Sequence, residues 1–234
     1  MDEAVAELRV SPLCSGLLRA LRSLPPISSI VCLGVGQFAS SRPARYQLAL
    51  ALLLRDELLP SEAGGDERLH IYDPALSDLE LECARLAGCA VRSSNEAGRI
   101  ALPGRTLYLL LHCPRALYSN VLDANWGPEK LHKVIVLGNS FQALADALDA
   151  SERTRTVGWC RVTRAASLVT ETTLEALASR ACSNDFDYAF SNTCLHTFDV
   201  AVMPAADDAL WSRPFEPAPQ PSGEGLLSDD YLTT

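Results

Sequence analysis

Short apolar runs alternate with longer amphipathic stretches along most of this chain. The runs cover residues 30–33, 69–72, 89–92, 106–111 and 134–137. Each has strand length, and each is closely followed by glycine, proline, asparagine or aspartate. The stretches between them read as helices. One over 42–59 is almost wholly apolar across 48–54, which predicts deep burial. Another over 77–86 starts at Ser77 as N-cap, with Glu80 in the capping-box position and Gly88 as its stop. Further helices follow Pro114 and Ser140. Five strands alternating with helices predict an α/β, Rossmann-like three-layer fold. Its sheet would be mainly parallel, with at least five strands and right-handed crossovers.

The flanks are organised differently. Leu13, Leu17, Leu18 and Leu21 recur at helical spacing with Arg19 and Arg22 opposite, so residues 1–24 predict one amphipathic helix that Pro25-Pro26 stops. A loop is expected over 60–68, a helix over 172–181 and a further strand within 188–198. The expected units are an N-terminal helix (1–26), the Rossmann-like domain (27–213) and a flexible acidic tail (214–234) rich in Pro, Gly and Asp.

Composition narrows the function classes. With 234 residues, 48% of them hydrophobic and only 21% charged, the chain can fill a real core. A net charge of −9 argues against nucleic-acid binding and against docking to anionic lipid. The opening MDEAVAELRV has no long apolar segment, so no secretory signal is expected. No apolar run reaches the roughly 18 residues of a membrane span. None of the eight cysteines forms CxxC, which disfavours zinc and thioredoxin-like chemistry. Buried thiols in a reducing compartment are expected, with the cytoplasm as location and the nucleus also open.

Candidate chemistry gathers where the strands end. Gly34, Gly36 and Ala39 form GxGxxA between a strand and a helix. This is either a nucleotide-binding turn or a tight β–α turn without ligand. Asp73 ends the second strand, where ribose hydroxyls would be held. It lies well beyond the roughly 20 residues expected after the glycines, and can equally cap a turn with Pro74. Glu96 could face an adenine edge or be a solvated turn residue. His112 and Cys113 are adjacent and so point apart, which makes them a poor dyad. His196 could reach Cys113 only through the fold. Cys113 before Pro114 can present a thiolate to haem iron, or start a helix with Pro114 near its first position. Tyr118, Asn120, Asn125 and Trp126 could project toward a pocket, although Asn125 also suits a helix C-cap and Trp126 a core. Asn139 and Ser140 end the fifth strand, with Ser140 as an N-cap. No complete catalytic constellation is recognisable.

Seven segments then acquire a common meaning: VCLGVGQF, ARYQLALALLL, YDP, NEAG, HCPRALYSNVLDANW, LGNSF and AFSNTCLHTF. In this order they resemble the SRR-like family, named for the plant protein "sensitivity to red light reduced". The resemblance spans about residues 31–198, and HCPxxLYxNxLxANW is its most specific part. The family pattern has Ser or Thr near Cys194, from which Ser191-Asn192-Thr193-Cys194 departs slightly. Animal relatives carry longer N-termini, which implies a short or shortened member. The resemblance implies an intracellular regulator: in plants of light signalling and the clock, in animals of clock-gene expression and haem biosynthesis. A fungal relative is linked to microtubule stability. It implies no settled catalytic activity. Three readings therefore stand: a regulator acting through protein partners, with a nucleotide- or haem-sized ligand at the strand ends; an enzyme using S-adenosylmethionine or NAD through the glycine loop; and a scaffold linked to cytoskeleton or signalling. Haem itself, through Cys113 or His112, is the narrowest ligand option.

Overall fold

The computed structural model describes residues 1–59, 68–147, 160–177 and 188–212. Seven strands form one sheet: β1 (Ser29–Leu33), β2 (Leu69–Tyr72), β3 (Ala90–Val91), β4 (Thr106–Leu110), β5 (Val134–Asn139), β6 (Val169–Thr173) and β7 (Thr193–Phe198). Their order is β3-β2-β1-β4-β5-β7-β6. The first five are mutually parallel, and β7 runs antiparallel between β5 and β6. The chain reverses its direction of travel across the sheet between β1 and β4. Open α/β sheets offer a crevice at such a reversal, beyond the carboxyl ends of the strands.

Continuous apolar strands are what a sheet covered on both faces requires. Ile30 and Cys32 of β1, Leu107 and Leu109 of β4, and Ile135 and Leu137 of β5 face one core. The helices α1 (Asp2–Val10), α2 (Pro12–Arg22) and α3 (Arg42–Leu58) cover it. The alternate residues Val31, Leu33, Tyr108, Leu110, Val134 and Val136 face a second core. That core is covered by α5 (Arg115–Ala124), α7 (Phe141–Asp146) and α8 (Arg161–Ala165). The layers are completed by α4 (Asp78–Leu86), α6 (Pro128–Leu131), α9 (Leu174–Leu177) and α10 (Ala209–Ser212). Residues 48 to 54 of α3 are all buried, as their composition required.

Several expectations need correction. The leading helix is two helices. Ser11 leaves helical geometry at ψ 143°, caps α2 by accepting from Cys14 N, and places Pro12 at the first position of α2. The leucine periodicity runs across this break and conceals it. Residues 172 and 173, expected to be helical, close strand β6, and the helix there is only Leu174–Leu177 within the described residues. Pro114 is the N-cap of α5 rather than its first residue. The capping box of Ser77 and Glu80 and the left-handed Gly88 stand as expected. The loop over 60–67 and the tail over 214–234 lie outside the described residues. No helix among the described residues is long and apolar enough to cross a membrane.

Candidate functional site at the carboxyl edge of the sheet

The glycine loop leaves β1 in a left-handed conformation, with φ of 66° at Gly34 and 74° at Gly36. Only glycine adopts this cheaply. Gly34 has a second constraint, because a Cβ there would stand 2.6 Å from Cys113 Sγ. The loop does not open directly into α3. Ser41 is the N-cap, so the helix begins well after Gly36, and Ala39 is exposed rather than wedged between helix and strand. The loop amides are also occupied. Gly36 N donates to Asp73 Oδ2 at 2.7 Å, and Ala39 N donates to Glu80 Oε1 at 2.8 Å. Asp73 Oδ1 accepts from Ala75 N at 2.7 Å. The donors that a phosphate-binding loop would aim at its ligand are thus spent on carboxylates of β2 and α4. Burial opposes the Glu80 charge, but hydrogen bonds from Ala39 and Ser77 more than offset it and hold the carboxyl below its usual range.

Beside the loop, β4 ends at Leu110 and the chain turns through His112, Cys113 and Pro114 into α5. Cys113 is buried, and its thiol donates to Leu33 O at 3.3 Å. Burial keeps that thiol protonated far above its usual range, with Cys32 and Asp73 acting in the same direction. For Cys113 to offer a thiolate to haem iron, the buried thiol would have to give up its proton and its hydrogen bond to Leu33 O. His112 lies in the turn after β4, outside the strand, so the strand alternation does not govern its direction. It is exposed, with φ of 54°. A non-glycine residue holds such a conformation only where its surroundings fix it. Here His112 N donates to Asn139 Oδ1 at 3.0 Å. The ring stacks on Tyr188, with Nε2 3.0 Å from Tyr188 O.

Asn139 is the hinge of this cluster. Its backbone N donates to Tyr118 Oη at 2.8 Å, and Tyr118 also donates to Leu110 O. Tyr118 is fully buried, so its hydroxyl ties the ends of β4 and β5 together and is not a pocket group. Asn120 holds the loop after β3, donating to Ala97 O at 2.8 Å and accepting from Arg99 at 3.1 Å. Glu96 in that loop is paired with Arg92. Asn125 is indeed the C-cap residue of α5, and Trp126 packs on Trp211 and under Arg161. His196 is fully buried. It stacks on Phe141 with ring centroids 4.1 Å apart, and its Nε2 lies 3.1 Å from Glu171 Oε2. The expected pocket group of Tyr118, Asn120, Asn125, Trp126 and His196 is thus not gathered at this edge: Tyr118, Asn120, Trp126 and His196 make the scaffold contacts above, and Asn125 also borders a cavity elsewhere. Gly34, Gly36, Asp73, His112 and Asn139 do converge on one edge. Ser140 caps α7 there, accepting from Ala143 N.

One residue at this edge was not foreseen. Arg115 is the first residue of α5, directly beyond the end of β4. Its Nε is buried without a hydrogen-bond partner, and its guanidinium makes no ion pair among the described residues. The same helix has no side-chain cap, and in its first turn Leu117 N donates to Pro114 O at 2.9 Å. A cation at the positive end of a helix is locally unfavourable. That mismatch, visible as Arg after Cys-Pro, is the sequence signal that could have found it. Among the described residues no three His, Cys, Asp or Glu side chains group as metal ligands.

The SRR1 domain model matches residues 13–197, a span containing every residue of this edge. The chain belongs to the SRR1 domain family. It is similar to Protein SENSITIVITY TO RED LIGHT REDUCED 1 of Arabidopsis thaliana, 31% identical over 85% of this chain and 69% of that protein. It is also similar to the SRR1-like protein of Drosophila melanogaster, 33% identical over 80% of this chain and 62% of the relative. The SRR1-like protein of Mus musculus is 35% identical over 63% of this chain and 59% of the relative. Among solved structures, a plantazolicin methyltransferase in complex with SAH overlaps at a TM-score of 0.35 and 12% identity, covering 82% of each chain.

Proposed function

We propose that this SRR1-family chain is a regulatory protein. It reads a nucleotide- or haem-sized ligand at the carboxyl edge of its sheet and acts through protein partners. The observation that carries this is the use of the loop amides. Gly36 N and Ala39 N serve Asp73 and Glu80, which makes the glycine loop part of the frame. Near it, Arg115 makes no ion pair among the described residues, and its Nε is buried without a hydrogen-bond partner. An anionic group on that guanidinium suits a pyrophosphate, an amino-acid carboxylate or a haem propionate equally. The resemblance to the family supplies the biological setting: haem biosynthesis and clock-gene expression, in cytoplasm and nucleus.

The second reading is an enzyme using S-adenosylmethionine or NAD. It is favoured by Asp73 at the end of β2, since each of its oxygens keeps an acceptor site for a ribose hydroxyl. Native mass spectrometry of the chain with equimolar S-adenosylmethionine, NADH and haem in competition tests both. One adduct that disappears in Arg115→Ala and survives in Cys113→Ala supports the ligand site. No adduct with any of the three overturns it and leaves the scaffold acting through partners alone. Turnover of a bound S-adenosylmethionine or NADH moves the assignment to the enzyme.

A further inference from the structure

A second site lies at the opposite end of the sheet. Thr106 and Val134 open β4 and β5, and beside them is a cavity of about 400 Å³. That is within the size range of small-molecule pockets, roughly 300–1,000 Å³. Leu102, Pro103 and Val134 give it apolar walls, and Asn125, Lys130 and Lys133 complete the lining.

The polar members are arranged for a ligand. Lys130 and Lys133 are the only lysines in the sequence. Neither ammonium makes an ion pair or hydrogen bond among the described residues, Glu129 between Pro128 and Lys130 included. Arg105 stands next to the lining residues Gly104 and Thr106 and donates to His132 O at 2.7 Å, so it adds positive charge to the same end. In a chain of net charge −9, this mouth is a local reversal of sign that concentrates anions. Asn125 is only 5% exposed. Its Nδ2 is shared among Ile100 O, Tyr108 Oη and Val121 O at 2.8–3.2 Å. Its Oδ1 has no partner among the described residues, so the atom this buried side chain has left for the cavity is an acceptor.

We propose that this cavity binds a small organic anion. The carboxylate, sulfonate or phosphate rests on Lys130 and Lys133, and a flat apolar body lies against Leu102, Pro103 and Val134. An N–H or O–H of the ligand donates to Asn125 Oδ1. The site is independent of the glycine-loop edge, because the two lie at opposite ends of parallel strands.

The test uses 8-anilinonaphthalene-1-sulfonate, which carries a sulfonate, apolar rings and one N–H. The full chain is titrated by fluorescence, then acetylated with and without the probe and mapped by mass spectrometry. With two lysines in the chain, the acetylation pattern reads the site directly. Saturable binding that protects Lys130 and Lys133 is expected. Lys130→Gln with Lys133→Gln should weaken the probe about tenfold or more, the loss of roughly 1.4 kcal/mol or above. Ala101→Trp, at an exposed lining position, should fill the cavity and abolish binding in a folded chain. Probe binding unchanged in both variants overturns the proposal, as does failure to saturate or to protect either lysine.

Discussion

Gly138 is the most constrained position of the β4–β5 seam, and Gly138→Ala should destabilise the protein out of proportion to one methyl group. An added Cβ would lie 2.6 Å from Tyr118 Oη, 2.8 Å from Leu110 O and 2.8 Å from Tyr118 Cε1. None of these atoms can retreat cheaply. Leu110 is paired with Gly138 in the ladder, and Tyr118 is fully buried between Leu110 O and Asn139 N. Overpacking of this kind costs about 1–3 kcal/mol. Withdrawal of Tyr118 forfeits two hydrogen bonds at about 1 kcal/mol each. The expected loss is therefore about 3–5 kcal/mol, read as a lower urea midpoint at unchanged slope. Tyr118→Phe alone should cost about 1–3 kcal/mol, because it orphans Asn139 N. Combined with Gly138→Ala it removes the nearest clash, so the double variant should be more stable than the sum of the singles predicts by about 1–2 kcal/mol. A loss below 1 kcal/mol for Gly138→Ala, or strict additivity with Tyr118→Phe, would refute the reasoning.

Two further outcomes follow from burial and charge. Burial opposes the Glu171 charge, but hydrogen bonds from His196, Ser140 and Phe141 N prevail and pull its pKa to about 2, from the usual 4.5. Its contribution to stability should be complete above about pH 4.5 and fade as pH falls toward 2. The difference corresponds to about 3 kcal/mol at 1.36 kcal/mol per pH unit. Solvent around a side chain 21% exposed reduces this to roughly 1–2 kcal/mol. Acid unfolding of Glu171→Gln should lack that component, and an unchanged acid limb would contradict the assignment. Among the seven described cysteines only Cys83 is exposed. Burial lifts the thiols of Cys14 and Cys89 to about 11 and that of Cys194 to about 12. Mapped alkylation of the native chain at neutral pH should therefore modify Cys83 well before these three. Equal rates would show that the cores open on the labelling timescale.

The frame was legible because local signals sufficed for it. Apolar runs ended by turn residues placed β1, β2, β4 and β5, and Ser77 with Glu80 announced α4 correctly. Strand β6 escaped because VTETT is an edge strand, only partly buried, whose threonines and glutamate give no apolar run. The location of Asp73 and Asn139 at strand ends was equally readable. Their partners were not, since Asp73 meets an amide 37 residues away and Asn139 one 27 residues away. Types such as Asn120 and Asn125 look the same in sequence whether they face a ligand or tie a loop. Only the carbonyl of Ala97 shows that Asn120 ties a loop, and only the carbonyls of Ile100 and Val121 show where the amide nitrogen of Asn125 is held.

The carboxyl edge is electrically two-sided, and this bears on which ligand the competition should select. Asp73 and Glu80 stand on the β2 and α4 side, each accepting a hydrogen bond from the glycine loop. Arg115, the first residue of α5, stands on the other side. A ligand lying across the reversal between β1 and β4 must offer donors to the first side and an anion to the second. Haem offers carboxylates but no hydroxyl or amine donor, so it suits Arg115 and leaves the remaining acceptor sites of Asp73 facing apolar macrocycle. A nucleotide cofactor offers ribose hydroxyls to Asp73 and a pyrophosphate or carboxylate to Arg115 in a single orientation. In the three-way competition the expected adduct is accordingly a nucleotide. A haem adduct that persists in Arg115→Ala would mean that neither side of this edge is what the ligand reads.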